Sequence, residues 1–202
     1  MRIKIMFSQL AAALLLLPAA HADDHYKIDP LHTRVGFSVR HLGINDVNGF
    51  FDEFEGSLVL DASNRLKEAS ATIQVKSVDT RVQPRDNHLR TADFFDATNY
   101  PTITFHTKRI ETTGDEVVMI ADFTMRGVTK ELQLPVTLSK PIKDPWGNMR
   151  IGLEAKAKLN RKDYGINYNQ VLESGIAAVG EEVTIEITAE AVKESAEKPG
   201  NK

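Results

Sequence analysis

The sequence of 202 residues contains no cysteine, a single tryptophan and no cluster of basic residues. Without cysteine the chain cannot form disulfides, thiol nucleophiles or zinc–thiolate sites, so its stability must come from packing. The formal net charge is −3. A mildly acidic chain without a basic patch is a poor partner for nucleic acid or for an anionic membrane surface. We therefore expect no nucleic-acid partner.

Motifs for catalysis and for metal binding are also missing. The chain has no Gly-x-Ser-x-Gly nucleophile turn, no phosphate-binding glycine loop and no His-Glu-x-x-His pair. Six histidines occur, but His32, His41, His88 and His106 lie far apart without the spacing of metal ligands. We expect no catalytic residue, no enzyme activity, no cofactor and no metal site.

A long apolar run is found only at the amino terminus, in residues 10–17. Arg2 and Lys4 precede the run, Pro18 ends it, and Ala-His-Ala at residues 20–22 has the small-x-small form of a cleavage site. The run is about half as long as the roughly 20 residues that a spanning helix needs. The pattern predicts a secretory signal peptide over residues 1–22, cleaved after Ala22, and no transmembrane segment.

Alternation of apolar and polar residues dominates the rest of the chain, which we interpret as one domain over residues 23–192 followed by a disordered polar tail over 193–202. Period-two alternation is typical of strands with one buried face. It predicts strands at residues 34–40, 72–76, 102–106, 131–138, 149–159 and 183–190. Two less regular strands follow from residues 47–61, with a β-bulge between Phe51 and Phe54, and from residues 116–125.

Residues 84–95 break the alternation and predict a short helix, since Pro84 suits a first helical position and Leu89, Ala92 and Phe95 recur at three-residue spacing. Eight alternating strands with little helix indicate an all-β antiparallel sandwich or barrel. Closure into a barrel removes exposed strand edges. An eight-stranded barrel has an interior that side chains fill or that holds one small ligand.

The pattern alone is compatible with a packed interior and with a ligand cavity. It favours the packed interior, because close packing is the norm in proteins. If a cavity is present, its lining is almost entirely apolar, so a sugar or nucleotide would leave polar groups unsatisfied. A hydrocarbon tail would gain roughly 0.8 kcal/mol per buried methylene. The residues predicted to line it are Val35, Phe37, Val39, Phe54, Leu58, Ile73, Val75, Ile103, Phe105, Met119, Phe123, Leu134, Val136, Ile151, Leu153, Ala155, Ala157, Ile185 and Ile187.

The chain resembles the YceI-like polyisoprenoid-binding proteins over about residues 25–192. The most specific matching segments are RDNHL at residues 85–89, which leads to DFFD at residues 93–96, and YP at residues 100–101. The other matching segments are residues 26–30 with His32, 35–41, 47–49 with Phe51, Phe54 and Gly56, 123–130 and 160–165. Each segment is short, but their order and spacing together identify the family.

The resemblance implies an eight-stranded antiparallel lipocalin-like barrel, exported to the periplasm, that holds a polyisoprenoid or quinone tail in a central pore. It therefore favours the cavity over the packed interior. Phe123 and Met125 stand where smaller aliphatic residues are usual and are expected to narrow the pore. Because several members are dimers, a homodimer is one assembly that the resemblance suggests.

Two polar clusters are candidates for contact with a lipid head group at the mouth of the barrel. Arg85, Asp86 and His88 begin the predicted helix, where they could contact a pyrophosphate or a quinone carbonyl. A purely structural role, in which Asp86 caps the helix, is the alternative. The second cluster contains Arg161, Asp163 and Tyr164 and is either a ligand contact or an ion pair that orders a loop. A filled barrel whose outer surface binds envelope proteins is the alternative function.

Overall fold

The computed structural model describes residues 23–195 of the chain. The predicted signal peptide and most of the predicted tail lie outside these residues. No helix in the described part is long and apolar enough to cross a membrane. Lys193, which we predicted as the start of the tail, instead ends the last strand and is paired with Tyr26.

The described residues form twelve strands, one α-helix and three short 3-10 turns. The strands are β1 (Asp24–Ile28), β2 (Arg34–His41), β3 (Asn45–Phe51), β4 (Phe54–Leu60), β5 (Leu66–Gln74), β6 (Val78–Asp79), β7 (Thr102–Thr113), β8 (Glu116–Met125), β9 (Val128–Leu138), β10 (Ile142–Lys143), β11 (Met149–Asn160) and β12 (Val179–Lys193). The helix is α1 (Gln83–Leu89), and the 3-10 turns are Pro30–His32, Val75–Ser77 and Arg161–Tyr164.

The strands form a closed antiparallel barrel. Three strands of the ring are bent, and each is divided into two halves: β1 with β2, β3 with β4, and β5 with β6. The ring therefore contains eight strands in chain order. Each of them pairs with the next, and β12 closes the ring by pairing with β11 on one side and with both β1 and β2 on the other. The short β10 pairs only with β11, outside the ring. The predicted all-β, eight-stranded barrel with one short helix is confirmed.

The bends differ from the sequence prediction. Instead of one bulged strand over residues 47–61, Asp52 and Glu53 separate β3 from β4. Their backbone groups bond outside the regular ladder, since the Asp52 amide donates to Ser77 and the Glu53 carbonyl accepts from Gln74. Alternation cannot distinguish such a break from a bulge, because both shift the phase of the side chains.

The helix is shorter than predicted, because α1 ends at Leu89 and turns occupy residues 90–99. The backbone of these turns folds back on the helix: the Phe95 amide donates to the Leu89 carbonyl and the Ala97 amide donates to the Arg90 carbonyl. β6 pairs with β3 but not with β7. α1 and the turns therefore bridge the sequence between β6 and β7, where no strand pairing joins the two.

The interior is filled at one end and on one side only. At what we call the closed end, Tyr26, Leu60, Ile151 and Ala191 are at most 1% exposed. Inward residues of β8 and β9 are also buried, whereas Val35, Phe37 and Val39 of β2 and Val183, Ile185 and Ile187 of β12 are partly exposed. The opposite end, where α1 and the loops at residues 42–44 and 165–178 lie, is called the open end.

An ionic network holds two loops on the outside of the closed end. Arg150 donates from Nη1 to Asp29 at 2.7 Å and to Glu190 at 3.2 Å, and from Nε to Asp144 at 2.9 Å. His32 Nδ1 lies 2.9 Å from Asp29 Oδ2. Asp29, His32 and Glu190 are close enough to be metal ligands, but the guanidinium already supplies positive charge between the two carboxylates. Hydrogen bonds from Arg150 and then from His32 lower the pKa of Asp29 to about 2.

The network makes a specific prediction about pH. Replacing Asp29 with Asn removes an ionised group whose pKa is about 2 in the folded chain and near 3.8 when unfolded. The stability that this carboxylate supplies is complete above the unfolded value and is lost as the pH falls through the folded value. Urea unfolding followed by circular dichroism should show D29N less stable than the parent at pH 7, with the difference vanishing near pH 2.

The control for this experiment is D115N, because Asp115 lies in the exposed turn between β7 and β8. It should unfold like the parent across the same range. A D29N deficit that stays constant from pH 7 to pH 2 would contradict the assigned role of Asp29.

Candidate functional site

A cavity of about 320 Å³ lies inside the barrel. Its inner limit is formed by Leu58, Leu153 and Ala189, which are buried, and its outer limit includes Arg40 and His41, which are exposed. The cavity therefore has one closed end and one open end. Its volume is at the lower end of the roughly 300–1,000 Å³ that small-molecule sites occupy.

Most of the residues that we predicted for the lining lie on the cavity wall. Those on the wall are Val35, Phe37, Val39, Phe54, Leu58, Ile73, Ile103, Phe105, Met119, Phe123, Leu134, Leu153, Ala155, Ile185 and Ile187. Met125, which we expected to narrow the pore together with Phe123, is on the wall as well. Residues from almost every strand of the ring thus contribute apolar groups to the same space.

Four predicted lining residues do not reach the wall. Ile151 packs beyond it at the closed end, and Val75 is in a 3-10 turn rather than in a strand. Val136 lies near the closed end, where β9 and β11 pair through only three residues, and borders a shallow groove on the other side of these strands. Ala157 is buried but does not border the cavity. The alternation of apolar and polar residues indicated which side chains face the interior, but not how far along the barrel axis each of them lies.

Aromatic rings form one side of the wall near the open end. Phe37 of β2 lies opposite Gly49 of β3, and a Cβ atom on Gly49 would be only 2.3 Å from the Phe37 ring. The distal edge of the Phe37 ring therefore lies over the glycine. It also packs against Phe51 and Phe95, with ring centroids 5.8 Å and 6.4 Å away. Glycine at position 49 thus sets the position of this ring and the width of the cavity beside it.

A second aromatic group joins the helix to the long loop at the open end. His88 of α1, Phe94 and Tyr168 pack with centroid distances of 4.9 to 5.0 Å. All three border the cavity. His88 Nε2 also lies 2.8 Å from Asp93 Oδ2, so its ring is fixed from both sides. The predicted residue His88 therefore lies at the mouth, held as part of an aromatic cluster.

The structure places the members of the first predicted polar cluster in different surroundings. Arg85 borders the cavity and donates from Nε and Nη2 to the hydroxyl and carbonyl of Thr80, at 2.7 and 2.9 Å. Asp86 is 5% exposed and accepts hydrogen bonds from the Thr80 amide and hydroxyl. Asp86 therefore fixes the segment before the helix and is not at the mouth. It does not cap the helix from its first turn, as the alternative supposed.

Arg161 is the most buried cation of the site, with 3% exposure, and it borders the cavity. Its guanidinium donates to the carbonyls of Gly180, Ile166 and Val179 at 2.8 to 3.2 Å. Within residues 23–195 no carboxylate lies within ion-pair distance of it. Burial lowers the pKa of Arg161. The wall thus carries a positive charge that carbonyl dipoles stabilise; Glu181, which is paired with Lys162, acts on this charge without forming a direct ion pair with it.

The other two residues of the second cluster are not on the wall. Asp163 is exposed and lies 3.5 Å from Lys130 in a surface ion pair. Tyr164 is 3% exposed and packs edge-on against Phe123, with the ring centroids 5.6 Å apart. Tyr164 therefore supports the wall from behind, and burial raises the pKa of its hydroxyl.

Several residues at the mouth were not predicted as site residues, including Arg40, His41, Leu89, Phe95 and Tyr168. Phe95 belongs to the DFFD segment that marked the family resemblance, which was the available signal. Tyr168 lies in the stretch that we treated as an irregular loop. Such loops have no alternation, so the sequence pattern does not indicate which of their side chains turn inward.

Comparisons with known proteins agree with this architecture. The family model described as YceI-like domain matches residues 26–191. A protein from Shigella flexneri named YceI is 35% identical over 186 residues, covering 91% of this chain and 94% of the relative. The structure of a YceI protein from Campylobacter jejuni is 29% identical, with a TM-score of 0.66, covering 77% of this chain and 90% of that one.

A third similar protein is a polyisoprenoid-binding domain from Saccharophagus degradans implicated in plant cell wall breakdown. Its structure gives a TM-score of 0.59 at 17% identity and covers 84% of this chain and 98% of that one. At that identity the likeness concerns the fold.

The contact between Gly49 and Phe37 predicts that G49A is destabilised by about 1–3 kcal/mol, because an added methyl forces the ring to move. Urea unfolding measures the effect. The matched control is G152A, also in a strand, where the nearest atom to an added Cβ is the Ser139 hydroxyl oxygen at 3.4 Å. The control should stay within about 0.5 kcal/mol of the parent. Equal effects of the two substitutions would contradict the close packing at Gly49.

Proposed function

Because the chain belongs to the YceI-like domain family, we propose that its cavity binds the tail of a long isoprenoid lipid, of the polyprenyl or isoprenoid-quinone type. The barrel shields the tail from water and carries or scavenges the lipid without chemical change. The polyisoprenoid-binding domain from Saccharophagus degradans, which has the same fold, supports a ligand of this class.

The observation that carries the proposal is the combination of an apolar wall with a single open end. Valine, isoleucine, leucine, phenylalanine, methionine and alanine side chains from around the ring surround the space. A linear hydrocarbon can enter such a cavity end-on, and each buried methylene contributes roughly 0.8 kcal/mol. A ligand rich in hydroxyl groups would lose its hydrogen bonds to water there without replacing them.

The cations at the mouth favour a polar or anionic head group on the same lipid. Arg85 and the buried Arg161 border the cavity near the open end, and Arg40 lies at its outer limit, 3.3 Å from Asp46. A pyrophosphate would receive charge-assisted hydrogen bonds from guanidinium groups, and a quinone carbonyl would receive a weaker one. We therefore expect the head group at the mouth and the tail inside.

The periplasm is the compartment in which we propose that the protein acts. Support comes from residues 1–22, whose charged start, apolar run and Ala-His-Ala ending predict an export signal cleaved after Ala22. A water-filled compartment next to a membrane is one in which shielding of an isoprenoid tail is useful.

The alternative of a filled barrel that acts only through its outer surface does not fit the interior. A filled barrel would have every inward side chain buried. Instead, Phe37, Val183 and Ile185 face inward and remain partly exposed beside the cavity.

The direct test is solvent extraction of the purified protein followed by mass spectrometry, together with binding of added isoprenoids. We expect an isoprenoid lipid in the extract, or saturable binding of geranylgeraniol to the lipid-free protein. A protein that contains no lipid and also rejects both isoprenoid alcohols and quinones would overturn the proposal.

Filling the cavity gives a mutational test. Ala155 of β11 borders the cavity and is 7% exposed, so A155W should place an indole in the tail-binding space. We expect geranylgeraniol binding to fall by at least about tenfold, while circular dichroism still shows the folded barrel. The control is K156W, on the next residue, which points outward and pairs with Glu186. Equal binding by a folded A155W and by K156W would show that Ala155 does not face the ligand.

The head-group part of the proposal predicts a preference for charged lipids. The parent protein should bind farnesyl pyrophosphate more tightly than farnesol, and R85Q should reduce this preference by about tenfold. R81Q is the control, because Arg81 is exposed beside the same segment and does not border the cavity. Isothermal titration measures both affinities. If R85Q weakens both ligands equally, Arg85 supports the wall and does not contact the head group.

A further inference from the structure

Five of the nine large apolar side chains that are exposed in the described residues lie around the mouth of the cavity. Ile44 is 79% exposed and Val171 is 69% exposed, and Ile176, Val82 and Leu172 are between 40% and 46% exposed. Single exposed apolar residues are common on protein surfaces, but a contiguous group marks an interaction site. Four of these five residues lie in only two loops, at residues 42–44 and 165–178.

The two loops contact each other and have defined structure. The Leu42 amide donates to the Ala178 carbonyl at 2.9 Å, which joins the β2–β3 turn to the longer loop. Within the longer loop, the Leu172 amide donates to the Ile176 carbonyl, and Val171 and Ala177 form an isolated β-bridge. The loop is therefore a small hairpin whose apolar residues are held outward. We call Ile44, Val171, Leu172 and Ile176 the apolar rim.

The apolar rim continues directly into the cavity wall. His41, at the end of β2, and Val179, at the start of β12, border the cavity and are paired with each other. They lie immediately next to the two rim loops in the sequence. An isoprenoid leaving the cavity at this side would therefore pass from the wall onto the rim without meeting an intervening polar strand.

Charged groups at the open end nearly balance. Arg40 is paired with Asp46 beside the β2–β3 turn, and Glu173 lies at the tip of the hairpin. Arg81 and Arg85 precede and begin α1, while Asp86 is buried against Thr80. Arg161 is 3% exposed and belongs to the cavity wall, so the outer surface beside the rim lacks the cluster of cations that draws a protein to anionic lipids. Its attraction to a membrane would come from apolar burial.

From this placement we propose that the apolar rim docks on the surface of a lipid bilayer, with Ile44, Val171 and Ile176 inserted among the acyl chains. The cavity mouth then faces the membrane, and an isoprenoid tail moves between bilayer and cavity without crossing water. This inference rests on the proposed function, because it assigns the source of the ligand. A bilayer fits better than a protein partner, because the rim adjoins an opening lined with apolar groups.

Flotation with vesicles of phosphatidylcholine and phosphatidylethanolamine tests the proposal. We expect the parent protein to float with the vesicles, and I44S/I176S to do so about tenfold less, because two inserted side chains are lost. Because the rim charges nearly balance, 0.5 M salt should change the result little. The matched control is L31S/W146S, which removes two apolar residues that are 89% and 80% exposed but lie away from the mouth. The control should float like the parent.

Binding of geranylgeraniol without vesicles separates this inference from the proposed function. If the parent binds geranylgeraniol but does not float, or if the rim and control variants float equally, the docking inference is wrong and the proposed function stands. If no isoprenoid binds, the proposed function itself fails. Analytical ultracentrifugation adds a further outcome: a dimeric parent that becomes monomeric in I44S/I176S would show that the rim contacts a second copy, which would overturn docking on a membrane.

Discussion

The pairing of β12 on both of its edges is the interaction on which the rest of the structure depends. One edge pairs with β11 along eleven residues, and the other pairs with β2 and then with β1. This pairing turns a meander of antiparallel strands into a ring and leaves an enclosed volume. It also places the start of β12 at the open end and its final residues at the closed end, so the axis of the cavity follows this strand.

The cavity results from unequal filling of that enclosed volume. Eight strands leave an interior that large side chains can just fill. On the side of β8 and β9, methionine, phenylalanine and leucine do so, whereas alanine on β5, β11 and β12 leaves space beside them. At the closed end Tyr26, Leu60 and Ile151 restore close packing and provide the stability of a conventional core. The same strands therefore line the cavity with one part of their length and stabilise the barrel with the part at the closed end.

The sequence predicted the strands and the inward faces well, because alternation records directly which side of a sheet is buried. It predicted neither the depth of each residue along the barrel nor the places where strands bend. Ile151 and Leu153 have the same phase on β11, yet only Leu153 borders the cavity. Depth depends on the register between strands distant in sequence, and a local pattern carries no information about that register. Residues at the mouth were harder to predict than those of the strands. Arg161 lies in a segment that marked the family resemblance, whereas nothing in the sequence indicated Tyr168 as a site residue.

The missing pairing between β6 and β7 has a consequence for the size of ligand that the barrel accepts. Backbone hydrogen bonds fix the separation of most neighbouring strands, so the aperture cannot widen there without breaking a ladder. β9 and β11, which pair through only three residues near the closed end, are one exception, and β6 and β7 are another. Between β6 and β7 the boundary consists instead of α1 and the turns after it, held in part by ring stacking of His88, Phe94 and Tyr168. Rearranging these side-chain contacts requires less free energy than breaking the backbone hydrogen bonds between two strands. The aperture can therefore widen at this sector while the paired strands keep their hydrogen bonds, which under the proposed function would let the barrel accept chains or head groups of different width.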